Sequence, residues 1–175
     1  MDKDILVYFQ FSKIKLTFQI FLAVIFVVIG LWLYLESGTK FSFTPFFART
    51  IAVFAIIIFG ILGFLAGQKI ASRKPGFVIT REGFIDHTYK MGLIKWTDIK
   101  EFKSNWLIGT KFLLVFVENP EEYLKNASIT YQIFLKLYKW IYGTPISVSA
   151  GSLTCSYEDL HETLIKHYEI YSKGL

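Results

Sequence analysis

His161 lies one helical turn after Glu158 and next to Glu162, with Asp159 and His167 on the same stretch. Imidazole and carboxylates at this spacing can share a helix face, either as a metal patch or as an acid–base pair. Neither HExxH nor CxxC spacing is present, so a solvated helix face is the expected state of these residues. Asp86 and His87 are adjacent in a strand-like run, where successive side chains point to opposite faces, which undermines them as a catalytic pair. Cys155 is the single cysteine, so no intrachain disulfide can form, and no activating base stands near it in sequence. No glycine-rich phosphate loop occurs. These residues predict no catalysis, no metal and no cofactor.

The elements that must position everything else are more distinctive. Leu16 to Leu35 is twenty residues without a charge, and Ile51 to Gly67 is seventeen more. A helix rises about 1.5 Å per residue, and roughly 17–25 apolar residues cross a bilayer core. Two spans are predicted, over about 16–35 and 50–68. The first is too long for a signal-peptide core, and LESGT is a poor cleavage site, so it reads as a retained anchor. Trp32 and Tyr34 suit an aromatic belt.

Charge sets the expected orientation. Lys3, Lys13, Lys15, Lys69, Arg73, Lys74 and Arg81 flank one side, whereas the loop from Glu36 to Arg49 holds only Lys40 and Arg49. The positive-inside rule then places both termini in the cytoplasm and FSFTPFF, with Phe41, Phe43, Phe46 and Phe47, in the outer interface. On that topology the sequon Asn126-Ala127-Ser128 is inert. The net charge of +5 arises entirely within residues 1–74, since 75–175 carry eleven basic and eleven acidic residues. No basic patch on a folded domain is left over, and nucleic-acid binding is not expected.

Residues 1–74 thus form a transmembrane hairpin, and 75–175 a small domain. FVIT (77–80) and GFIDHTY (83–89) read as a hairpin turning at Arg81-Glu82, followed by LIKW (93–96) and a strand beginning near Asp98. Asp98 is expected to bond nearby backbone amides as the chain bends. KFLLVFVE (111–118) has the apolar continuity of a buried strand. Asn119, Pro120 and Glu122 mark a helix start, with a helix expected as far as Tyr142 and a stop at Gly143. On its wheel Lys125, Ser128, Gln132, Lys136 and Lys139 form one polar stripe. Nearly all the rest is apolar or aromatic, including Phe134, Leu137, Tyr138, Trp140 and Ile141. Two readings stand open: this helix lies in a membrane interface, or it is wedged against the sheet, the spans or a partner chain. PISVSAG (145–151) supplies a last strand. Ser156 and Asp159 then cap a final helix whose Leu160, Leu164, Ile165, Tyr168 and Tyr171 would cover the sheet.

Ile79-Thr80, Glu82-Gly83-Phe84-Ile85-Asp86 and Gly92-x-Ile94-x-Trp96-x-Asp98-Ile99 resemble bacterial membrane proteins with a pleckstrin-homology-like (PH-like) domain. The layout is similar too: a short lysine-bearing start, two spans, strands, and a final helix opening on Ser156-x-Glu158-Asp159-Leu160. The chain resembles a poorly characterised family of small two-span inner-membrane proteins. The resemblance implies a membrane helical hairpin followed by a PH-like antiparallel sheet or partly open barrel, with an inserted amphipathic helix and a C-terminal helix. Gly83 and Gly92 would serve turns, and Trp96 would pack in the core. The turn that holds inositol phosphates in eukaryotic PH domains offers only Arg81 beside Glu82 here, so that ligand is not carried across.

The expected role is a non-catalytic binding module at the cytoplasmic face of a bacterial inner membrane. A protein partner, bound in a scaffold or regulatory role, ranks ahead of anionic-lipid sensing, and a membrane-associated enzyme or toxin-related factor ranks last. Lys69, Arg73, Lys74, Lys136, Lys139 and Trp140 are the candidate headgroup contacts. Gly60, Gly63 and Gly67 are candidates for close helix packing, either on the first span or in a homodimer. Neither span carries an internal ionisable group, which argues against a transport pathway.

Overall fold

The computed structural model describes residues 5–36, 45–89, 91–107, 109–127 and 129–172. They fall into two compact units: Ser12–Ser72, and a second that joins the segment ending at Phe11 to the segment beginning at Arg73. Lys3, Lys40, Phe41, Phe43, Lys90 and Ser128 lie outside the described residues.

The first unit is a helical pair, α1 (Lys13–Glu36) and α2 (Pro45–Ala71). Ser12 opens α1 by accepting the Lys15 amide on its hydroxyl at 3.3 Å and the Leu16 amide on its carbonyl at 3.0 Å. Both helices are long and apolar enough to cross a membrane. Leu16, Ala23 and Gly30 are buried on α1, and Ala52 and Ala66 on α2, each set at multiples of seven. Small residues on this seam let the backbones approach. A Cβ on Gly30 would lie 2.9 Å from the Ile56 side chain and 3.3 Å from the Ala52 carbonyl oxygen. Phe26 stacks on Phe59 at 4.2 Å. Of the three glycines expected to pack, a Cβ on Gly63 would lie 3.3 Å from the Ala23 side chain, while one on Gly60 or Gly67 would meet nothing within 4 Å. The expected single glycine face is therefore divided. Gly63 sits some 60° around the helix from Gly60 and some 40° from Gly67, at about 100° per residue, and of the three it is the one turned to α1.

The second unit holds two antiparallel sheets. The first has the order β1 (Ile5–Phe9), β2 (Phe77–Thr80), β3 (Gly83–Asp86), β4 (Leu93–Lys95). A 3-10 turn, Trp96–Asp98, leads into the second sheet: β5 (Ile99–Leu107), β6 (Thr110–Val117), β7 (Ile146–Val148). The sheets do not close into a continuous barrel; an isolated bridge joins Phe11 to Leu153. Strand β1 departs from the reading of residues 1–74 as hairpin alone. It pairs with β2 in the register Phe9 to Phe77 and Val7 to Ile79. The Gly76 amide donates to the Phe9 carbonyl at 2.9 Å, and the Thr154 amide to Gln10 at 3.0 Å. In the chain, the helical pair is thus an insertion between two neighbouring strands of one sheet.

The core collects Phe77, Ile79, Phe84 and Ile94 from the first sheet and Leu113, Val115 and Val117 from the second. Trp96 is almost fully enclosed, between Phe84 and Tyr168, and its indole N–H donates to the Thr80 carbonyl at 3.1 Å. Arg81 and Glu82 form the expected turn, latched by the Thr80 hydroxyl, which donates to the Gly83 carbonyl at 2.9 Å. Gly83 serves more than a turn. A Cβ there would fall 2.0 Å from the Ile94 carbonyl oxygen, so only glycine lets β4 pair at this point. Asp98 does not bond backbone amides as expected. Its carboxylate accepts the Tyr123 hydroxyl at 2.6 Å and the Thr97 hydroxyl at 2.9 Å, fastening the bend to the next helix.

That helix is not continuous to Tyr142. It breaks into α3 (Pro120–Asn126) and α4 (Ile129–Tyr142) at Ala127, whose backbone is extended. The break is stable because the Gln132 amide group donates to the freed Ala127 carbonyl at 3.1 Å. Pro120 holds its expected place, but the Asn119 side chain makes no capping bond. Helix α5 (Tyr157–Tyr171) starts with the complete capping box of Ser156 and Asp159, and buries Leu160 and Leu164.

Candidate functional site

Strand alternation places Leu113 and Val115 of β6 in the core and Phe112 and Leu114 on the opposite face. Helix α4 covers that face. Phe112 meets Tyr138 at 6.1 Å and Tyr142 at 5.6 Å, edge to face in both cases, and Leu135 is buried beside them. Tyr131 meets Tyr89 edge-on at 5.7 Å. The buried Ser147 of β7 lies beside Tyr89 and Tyr138 and opposes the rise of their phenol pKa values. Burial, with Asp86 nearby, pushes the Tyr89 phenol up to about 12, so this layer is neutral and packed. Gly143 ends α4 at φ +80°, its amide donating to the Lys139 carbonyl at 2.8 Å. Glycine adopts this left-handed cap without strain.

The other side of α4 is apolar too, and among the described residues nothing covers it. Ile133 is 76% exposed, Leu137 52%, Trp140 83% and Ile141 54%. At about 100° per residue these four span a stripe roughly 100° wide. Lys136 is exposed along its margin. A solvated helix face carries charges here; this one carries a tryptophan and three aliphatic side chains.

The candidate headgroup residues divide accordingly. Lys136 and Trp140 stand one turn apart beside the exposed stripe. Lys139 turns away to pair with Glu121 of α3, and that hydrogen bond holds the Glu121 carboxyl below its usual range. The break at Ala127 also takes Lys125 off the polar stripe. Arg73 and Lys74 are exposed in the segment leading to β2, and Lys69 closes the last turn of α2 in the other unit.

No family model matches the chain, and no curated protein or solved structure matches it. The site therefore has to be read from its own geometry.

The residues that could do chemistry are occupied structurally. Glu158 accepts a hydrogen bond from Lys111 at 2.9 Å, which holds its carboxyl below the usual range. The His161 ring stacks on Tyr157 at 5.7 Å, and His167 Nδ1 lies 2.7 Å from the Thr163 carbonyl oxygen. Among the described residues no three His, Cys, Asp or Glu side chains are grouped to hold a metal. Asp86 is buried and accepts the Thr88 amide at 2.7 Å. His87 is half-buried with Nδ1 unpartnered, and burial followed by the Lys74 charge lowers its pKa. Cys155 packs half-buried against the core. A groove of about 420 Å³ between Tyr34, Phe46, Arg49 and Phe54 belongs to the helical pair and contains no acid–base pair.

Sequence reasoning named Leu137, Trp140 and Ile141 but not Ile133, and did not set them apart as one exposed stripe. Their i, i+4, i+7, i+8 spacing was the available signal. It was hidden because the covered side of the helix is just as apolar.

Proposed function

We propose that the protein is a two-span protein of a bacterial inner membrane, with both termini cytoplasmic. It holds a PH-like domain at the cytoplasmic face as a non-catalytic binding module, and the outward face of α4 is its contact surface. One observation carries this reading: α4 is apolar on both sides, and the sheet covers only one of them. Soluble monomers rarely leave a contiguous apolar patch without a use for it.

The membrane part is supported by side chains exposed all round the hairpin, such as Phe18, Phe21, Phe54 and Phe64, which a soluble core would enclose. The PH-like part is supported by antiparallel sheets of four and three strands closed by a C-terminal helix. The cytoplasmic orientation rests on the lysine and arginine asymmetry. Expecting a protein partner rested on the weak Arg81–Glu82 turn; α4 offers a different surface, which is not a pocket.

A photoreactive residue in place of Leu137, in the full chain in native membranes, tests the contact surface. Adducts should form at 137 and not at the exposed position of Lys95 on β4. Equal, background-level labelling at both positions would remove α4 as the contact surface. Impermeant thiol reagents check the orientation, with Phe46→Cys reacting from outside and Glu162→Cys only after permeabilisation.

A further inference from the structure

We infer that the occupant of the α4 face is the anionic bilayer surface itself. This rests on the contact surface proposed above and names what covers it. Ile133, Leu137, Trp140 and Ile141 enter the headgroup–acyl boundary while Lys136 stays at phosphate level.

Four observations favour lipid over a second copy or another protein. Helix α4 contains no Asp or Glu, and with Lys139 paired to Glu121 the charge beside the exposed face is that of Lys136, which complements negative charge. Its exposed composition, aliphatic residues and one tryptophan with a lysine at the edge, is that of an interfacial helix. A two-fold contact between copies would bring Lys136 of both chains into one interface, with no carboxylate on the helix to neutralise either. The tethers are also short. Three residues separate β1 from α1 and five separate α2 from β2. Fully extended, these segments reach only about 10 and 17 Å. Tethers this short raise the effective concentration of the domain at any bilayer that the hairpin crosses, so even a weak interfacial helix can bind there.

The test is depth measurement on the full chain in nanodiscs. A spin label is placed at Leu137→Cys in a Cys155→Ala background, and folding is verified by amide-exchange protection of β6. In phosphatidylglycerol-containing bilayers the label should collide with oxygen more than with a water-soluble nickel chelate. Lys136→Gln should lower the ratio of immersed to free label about fivefold, and pure phosphatidylcholine should lower it in the same direction. A label shielded from both oxygen and the chelate would mean a protein contact, which overturns the lipid occupant and leaves the contact surface standing. A label open to the chelate in both bilayers overturns both. Immersion that ignores lipid charge and Lys136 overturns the anionic selectivity.

Discussion

Replacing Ile5–Phe9 by a Gly-Ser run of equal length would remove β1 and keep every charge that orients the hairpin. Val7 and Phe9 are half-buried against the core. Full burial of such side chains contributes about 1.5–3 kcal/mol each, so half-burial of the two contributes roughly 2 kcal/mol. Four positions of β1 are paired with β2. Net backbone hydrogen bonding across them adds about 2 kcal/mol. The sum, about 4 kcal/mol, is a large share of the roughly 5–15 kcal/mol that holds a domain folded. Hydrogen exchange on the full chain in nanodiscs reads the effect at β2. Protection over Phe77–Thr80 should fall roughly a thousandfold, at about 1.4 kcal/mol per tenfold. A chain that keeps its protection at β2 would refute the reasoning and return residues 5–9 to the role of a lead-in to the first span.

Three further outcomes follow from individual residues. Gly83→Ala drives a Cβ into the Ile94 carbonyl, and should destabilise the domain by about 3 kcal/mol; Gly92→Ala, at φ +86° in open space, should cost only about 1–2 kcal/mol, as comparative exchange or urea titration would show. Trp96→Phe removes the donor to the Thr80 carbonyl and should lower stability by about 1–3 kcal/mol in the same assays, with an unchanged response refuting the bond's role. His87, whose folded pKa is lowered, takes up a proton in the unfolded chain before it does so in the folded one. Its contribution to stability is therefore present above about pH 6.5 and lost as pH falls from there toward the folded pKa. His87→Asn should flatten that part of the stability profile, and an identical slope in both proteins would exclude His87 as its source.

What could be read in advance depended on how far apart the deciding residues lie. The Ser156–Asp159 box, the Gly143 stop, the Arg81–Glu82 turn and the two long apolar runs are decided within a few residues or by composition alone. Strand β1 was invisible because its partner lies beyond the whole hairpin, and a short apolar run before a long one reads as an approach to the membrane. The seam of Ala23, Gly30, Ala52 and Ala66 was passed over for the more conspicuous Gly63-x-x-x-Gly67, although sevenfold spacing was present on both helices. The break at Ala127 depends on Gln132 reaching back to its carbonyl, a side-chain choice that neither propensity nor capping rules express. The contact face was half legible: its grease was evident, and which half the sheet would cover was not.

The insertion of the hairpin between β1 and β2 also fixes an order of events during synthesis. β1 leaves the ribosome first and must wait, unpaired, until the chain has passed through both helices and delivered β2. In a membrane, the two strands can meet only if the intervening segment has entered and come back out on the same side. A chain in which only one helix crosses leaves β2 as a bare edge with an open row of amides and carbonyls. The completed β1–β2 pairing thus requires both ends of the helical pair to finish on one side, which makes the sheet and the threading of the helices a single folding problem.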